Sequence, residues 1–85
     1  MQTPKREFWN NAERERLPDA FRMTKQKGTD TIVAVCEVWA VELGWDLCVQ
    51  IDGHGLHRSA LCRSGREMLD RAKEWRLMMT EKGWA

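Results

Sequence analysis

The residues of this 85-residue chain that offer chemistry beyond packing are few: Cys36, Cys48 and Cys62, together with His54 and His57. The histidines form an H-x-x-H pair. A zinc site, however, needs three or four ligands converging on one point, and structural sites draw thiolates from close pairs. No two cysteines here stand as C-x-x-C, and strand alternation puts His57 on one face with Cys48 while Cys36 and Cys62 fall on the other. Cys48 with His57 is also the one combination that resembles an activated nucleophile, with Asp46 or Asp52 placed to orient the imidazole. Such a pair needs an oxyanion site and a cleft as well, and a flat sheet supplies neither. Paired carboxylates, phosphate-cradling glycine loops and Ser-His-Asp signatures are absent. The chain is thus expected to be non-enzymatic, with no catalytic set, no metal and no cofactor, its thiols reduced and packed as small apolar groups.

A second chemistry open to these residue types is stacking and phosphate contact. Trp39 offers an aromatic face, and Arg22, Lys25, Arg58, Arg63 and Arg66 form a candidate basic patch, joined by Lys27 in the first turn. The net charge of +1 gives little general attraction to nucleic acid, and its distribution is uneven. Between Lys27 and Arg58 there is no Lys or Arg, whereas Asp30, Glu37, Glu42, Asp46 and Asp52 lie in that window. From Gly53 to Arg66 the reverse holds, with His54, His57, Arg58, Arg63 and Arg66 and no acid. An acidic middle beside a basic strand favours cross-strand pairs, a self-complementary dimer or a polar partner.

The elements that must position these groups follow from pattern. Ala20 to Lys25 alternates Phe21 and Met23 against Arg22 and Thr24, and KQKGTD supplies a turn, predicting a first hairpin. Thr31 to about Ala40 is rich in Val and Ile and reads as a second strand. Trp45 to Ile51 alternates Trp45, Leu47, Val49 and Ile51 against Asp46, Cys48 and Gln50. Asp52, Gly53, His54 and Gly55 then reverse the chain, and Leu56 to Cys62 returns. Ser64 and Glu67 fit an S-x-x-E capping box, followed by an apolar stripe of Met68, Leu69, Ala72, Trp75 and Met79. Gly83 stands where a C-terminal cap belongs, with Trp84 placed to fold back. The predicted fold is α+β, a four-stranded antiparallel β-meander followed by one C-terminal helix packed on one face (ββββα). Residues 20–85 form this single domain. Residues 1–19 form an N-terminal arm in which Pro4 and Pro18 bracket two or three potential turns of helix, from about Glu7 to Arg16, carrying Phe8 and Trp9.

Parity then sorts the side chains. One face gathers Ile32, Ala34, Cys36, Val38, Trp45, Leu47, Val49, Ile51, Leu56, Ala60 and Cys62, and this is the face the helix is expected to cover. The other carries Val33, Val35, Glu37, Trp39, Val41, Asp46, Cys48, Gln50, His57, Ser59 and Leu61. An antiparallel sheet with one solvated face should be polar there. Val33, Val35, Trp39 and Val41 instead make an apolar patch, which the arm, a second copy of the chain or a partner would cover.

From Gly44 to Trp84 the chain resembles a set of short bacterial proteins that share a domain of unknown function. The shared pattern is a G-W-x-L strand (Gly44, Trp45, Leu47), a [VI]-D-G turn (Ile51, Asp52, Gly53) and an L-x-R-S strand (Leu56, Arg58, Ser59). It continues with C-R-S before the helix (Cys62, Arg63, Ser64) and an E-W-R…M-x-E-K-G-W ending from Glu74 to Trp84. The resemblance supports the fold and brings no activity with it. Four strands followed by a helix is also similar in topology to the repeat of Pur-type and Whirly-type single-strand binders, whose sequence signatures are absent here.

A chain of this length forms one domain that buries only about 60 to 65% of its unfolded surface, so a second chain sharing its core would add stability. Hydrophobic residues make up 42% of the chain, charged residues 32%, and no apolar run approaches membrane-spanning length. The first residues lack the apolar stretch of a secretory signal, which leaves the cytoplasm as the expected location. The expected function is a small protein-interaction or regulatory module, homodimeric through Val33, Val35, Trp39 and Val41. Single-stranded DNA or RNA binding and a small inhibitor protein from a mobile element stand as the alternatives.

Overall fold

The computed structural model describes residues 14–85; the helical turns expected between Glu7 and Glu13, with Phe8 and Trp9, lie outside the described residues. Four strands form one antiparallel sheet in sequence order: β1 (Arg14–Lys27), β2 (Asp30–Val41), β3 (Gly44–Ile51) and β4 (Gly55–Cys62). A single helix, α1 (Gly65–Glu81), follows. This is the expected ββββα arrangement. The first strand starts earlier than the sequence pattern indicates. Arg14 to Leu17 pair with Val41 to Val38, so residues 14–19 belong to the sheet rather than to an arm, and Arg14 to Arg16 are strand rather than helix.

Pro18 hid that extension, because a proline has no N–H for the ladder. The sheet accommodates it at an edge, where the register shifts between Leu17 and Phe21. Leu17 opposes Val38 and Phe21 opposes Cys36, so β1 holds two extra residues there. An even insertion preserves facing, and Leu17, Phe21 and Met23 all meet the helix side.

Each turn uses glycine where the backbone requires it. Gly28, at φ 64°, is the first central residue of the β1–β2 turn, and Gly53, at φ 79°, is the second central residue of a turn closed by His54 N–H donating to Ile51 O at 2.9 Å. Ser64 Oγ accepts from the Glu67 N–H at 3.0 Å. The Glu67 carboxylate accepts from the Arg63 N–H at 2.8 Å, one residue before the cap. At the other end Trp84 N–H donates to Met79 O and Gly83 N–H to Thr80 O, a Schellman closure with Gly83 at φ 99°.

The core lies between α1 and one sheet face. Phe21, Met23, Ala34, Cys36, Val38, Leu47 and Val49 meet Ala72, Trp75 and Met79, with Trp45, Ile51, Ala60 and Trp84 at the margin. Two expected core residues are not there. Leu69 is 60% exposed on the flank of α1 that faces Leu17 and Pro18 across a groove, and Leu56 is 58% exposed on the far face of the sheet. Leu56 is displaced by a one-residue bulge in β4. Val49 pairs with Arg58 but Gln50 pairs with Leu56, which leaves His57 without a partner and flips the strand from that point.

Candidate interaction face

The sheet face away from α1 is built mainly by β2. Val33, Val35, Glu37, Trp39 and Val41 alternate on it, each half-buried by neighbouring strands. Register gives the rows across the sheet. Trp39 lies beside Arg16 and Asp46, with Leu61 beyond, while Val35 lies beside Arg22 and Gln50, with Leu56 beyond. Two apolar columns, on β2 and β4, thus flank a more polar column of Asp46, Cys48 and Gln50. The bulge at His57 adds Leu56 to this face, and Leu56 and Leu61 are 58% and 44% exposed. Parity alone missed this, because the extra residue changes facing without any turn residue to announce it.

Trp39 is held from several sides. The Arg14 guanidinium carbon lies 4.2 Å from the ring centroid and that of Arg16 5.4 Å. The indole N–H donates to Glu37 at 3.1 Å. Arg16 also pairs with Asp19 at 2.7 Å and lies 3.8 Å from Glu37, and the hydrogen bond to Asp19 raises its already high pKa. The cross-strand ion pairing expected between the acidic middle and the basic strand occurs instead between β1 and β2. Arg14 and Arg16 come from the segment assigned by sequence to the arm, so their part at Trp39 depends on β1 running past Pro18.

The candidate basic patch is dispersed. Arg22 stands on the outer face of β1, whereas Lys25 reaches the helix end, where its ammonium donates to Lys82 O at 2.9 Å. Arg58 lies on the helix side, 5.6 Å from the Trp75 ring and 3.8 Å from Met78 Sδ. Arg63 precedes the cap, and Arg66 faces Asp70 at 4.0 Å. These groups form no common track with Trp39, whose ring already lies beside Arg14.

The thiols are all free and buried. Cys48 opposes Ser59 and Glu37, not His57, so the parity pairing of Cys48 with His57 is broken by the bulge. Desolvation, reinforced by Asp46 and Glu37, raises the Cys48 pKa, opposite to what nucleophilic activation needs. Burial pushes the Cys36 thiol up to about 12 and raises that of Cys62 as well. Among the described residues no three metal-ligating side chains cluster, and no helix is long and apolar enough to cross a membrane. A groove of about 560 Å³ lies where the β1 bulge stands off α1, between Leu17, Phe21, Met68 and Ala72, with Lys73 and Arg76 on its rim. A hollow of about 320 Å³ lies beside Trp84, rimmed by Lys25, Lys27 and His54. Neither gathers a nucleophile with a base.

Fold and face together define a small α+β domain with one sheet face covered by its own helix and an amphipathic face opposite. No family model, curated protein or solved structure matches this chain.

Proposed function

We propose that this chain is a small non-enzymatic interaction module that self-associates through the outer face of its sheet, with Val33, Val35, Trp39 and Val41 at the centre of the contact. One observation carries the reading: the helix covers only one side, while the other presents an apolar β2 column in which the single charged member, Glu37, is engaged by Trp39 and Arg16. Trp39 is already fixed by Arg14, Arg16 and Glu37, so little side-chain freedom remains to be lost on association. Aromatic residues and arginine are also the types that dominate interface energetics. A face of this kind packs against a two-fold copy of itself, aligned sheet against sheet.

Light scattering of the full chain over the micromolar range tests this. The parent is expected to have the mass of a dimer, and Trp39→Glu and Val35→Glu to be folded monomers by circular dichroism. A parent that is monomeric throughout the range overturns the proposal, as do Glu variants that keep the dimer mass.

A further inference from the structure

The two edges of the sheet are finished differently. On one side β1 is interrupted at Pro18, and Thr24 exchanges both backbone hydrogen bonds with Ala85, at 2.8 and 2.9 Å. Lys25 adds its bond to Lys82 O at that edge. On the other side, among the described residues, no backbone group beyond β3 bonds to β4. Long uncovered edges invite pairing with another strand, so they are normally blunted.

Register identifies which groups of β4 are open. Asp52 N–H donates to Val33 O at 3.0 Å, continuing the β2–β3 ladder. Hydrogen-bonded and non-bonded pairs alternate in an antiparallel ladder. The odd residues of β2 therefore bond to β3, and Trp45, Leu47 and Val49 turn their backbone groups toward Cys62, Ala60 and Arg58. Ser59 and Leu61 are left pointing N–H and C=O away from the sheet. The same alternation carried to the far edge makes Thr24 an outward residue, and there Ala85 takes its bonds.

The side chains along this edge share one sign. From Gly53 to Arg66 there are two histidines and three arginines and no acid. Of the facing acids, Glu67 is engaged by the Arg63 N–H, Asp70 stands 4.0 Å from Arg66, and Asp46 lies behind Leu61 on β3. Arg58 rests on Trp75 and Met78 rather than on a carboxylate.

We propose that β4 accepts an extended acidic segment of a partner protein as a fifth strand. Ser59 and Leu61 supply the main-chain hydrogen bonds, Leu56 and Leu61 the apolar contacts on the outer face, and the arginines the selection for acidic side chains. Charge argues against a second copy of β4 as the occupant. Antiparallel self-pairing through Ser59 and Leu61 would bring two basic edges together, with His57 of one copy opposite Arg63 of the other, and like charges opposed across a strand pair are destabilising. This site shares Leu56 and Leu61 with the outer face but takes its main-chain hydrogen bonds at the β4 edge and not at the β2 column, so either proposal can fail alone.

The test uses the full chain and blocked synthetic peptides of eight residues, alternating Glu with Val or Lys with Val, followed by amide chemical shifts and hydrogen exchange. The Glu-Val peptide should shift and protect Ser59 and Leu61, with binding weakening as salt rises. Ser59→Pro removes an outward N–H while leaving the β3 ladder whole, and should weaken binding about tenfold where Ser59→Ala does not. Should Ser59→Pro fail to fold, the amide map of the unaltered chain decides. No response on β4, an equal response to the Lys-Val peptide, or concentration-dependent protection of the Ser59 and Leu61 amides without peptide that persists in Trp39→Glu, showing a second copy on that edge, would each overturn the proposal.

Discussion

Gly44 is the residue at which the fold is most exposed to a single methyl group. It follows the two-residue β2–β3 turn of Glu42 and Leu43, neither of which has positive φ, and it sits at φ 145°. A Cβ built there falls 2.1 Å from Cys62 O and 3.2 Å from Arg63 Cα, both backbone atoms tied to the β4 end and the start of α1. Gly44→Ala therefore combines two costs. The backbone conformation is one that side chains rarely adopt, costing about 1 to 3 kcal/mol, and relieving the overlap must displace the β4–α1 junction or break the Val41–Gly44 pairing, a further 1 to 3 kcal/mol or so. Gly53 is the control. Its φ is also positive, at 79°, but a Cβ there meets nothing within 4 Å. Gly53→Ala should lose about 1 kcal/mol, whereas Gly44→Ala should lose about 2 to 6 kcal/mol, enough to unfold much of a marginally stable domain of this size. Urea unfolding followed by tryptophan fluorescence measures both midpoints. Equal losses for the two variants would refute the reasoning, because both have positive φ and only the methyl group at Gly44 meets backbone atoms.

Three other outcomes follow from particular contacts. Leu56→Ser should change stability by no more than about 0.5 kcal/mol, since the bulge leaves Leu56 exposed, whereas Leu47→Ala, at a fully buried position on the helix side, should cost about 2 to 5 kcal/mol; denaturant titration separates them. Ser64→Ala removes the acceptor for the Glu67 N–H and should cost about 1 kcal/mol, seen as a lower thermal midpoint in circular dichroism. Because burial raises the Cys36 pKa from an ordinary 9.0 to about 12, the unfolded chain binds fewer protons than the folded one across that interval. This contribution to stability is intact below pH 9 and falls as pH rises through 9 toward 12, by up to about 1.4 kcal/mol per unit. Cys36→Ala should accordingly lose less stability than the parent between pH 8.5 and 11 in urea midpoints.

The turns at Gly28 and Gly53, the helix and the facing of β2 and β3 were legible because each rests on local chemistry. Asp52 and Gly53 fit the turn dihedrals, Ser64 supplies an acceptor to an orphan amide, and Gly83 permits the Schellman closure. Alternation from Trp45 to Ile51 identifies which side chains meet the helix, since successive strand residues point to opposite faces. What sequence could not give were the two places where a strand departs from its ideal count. Pro18 looks like a boundary in isolation, yet a two-residue bulge absorbs it at the sheet edge and brings Arg14 and Arg16 onto Trp39. His57 looks like a regular strand residue, yet pairing with β3 leaves it out of the ladder, sends Leu56 to the outer face and separates His57 from Cys48. Bulges depend on what a neighbouring strand offers, and that is a property of the assembled sheet.

The same division holds for the interaction surfaces. Sequence by itself determined that β2 would carry Val33, Val35, Trp39 and Val41 on one face, because that is fixed by spacing along a single strand. Only the tertiary structure decided that, among the described residues, Ala85 pairs with β1 at Thr24 while the outward groups of Ser59 and Leu61 meet no further strand. Edge cover requires segments more than sixty residues apart to meet, and no local pattern of side chains encodes that meeting.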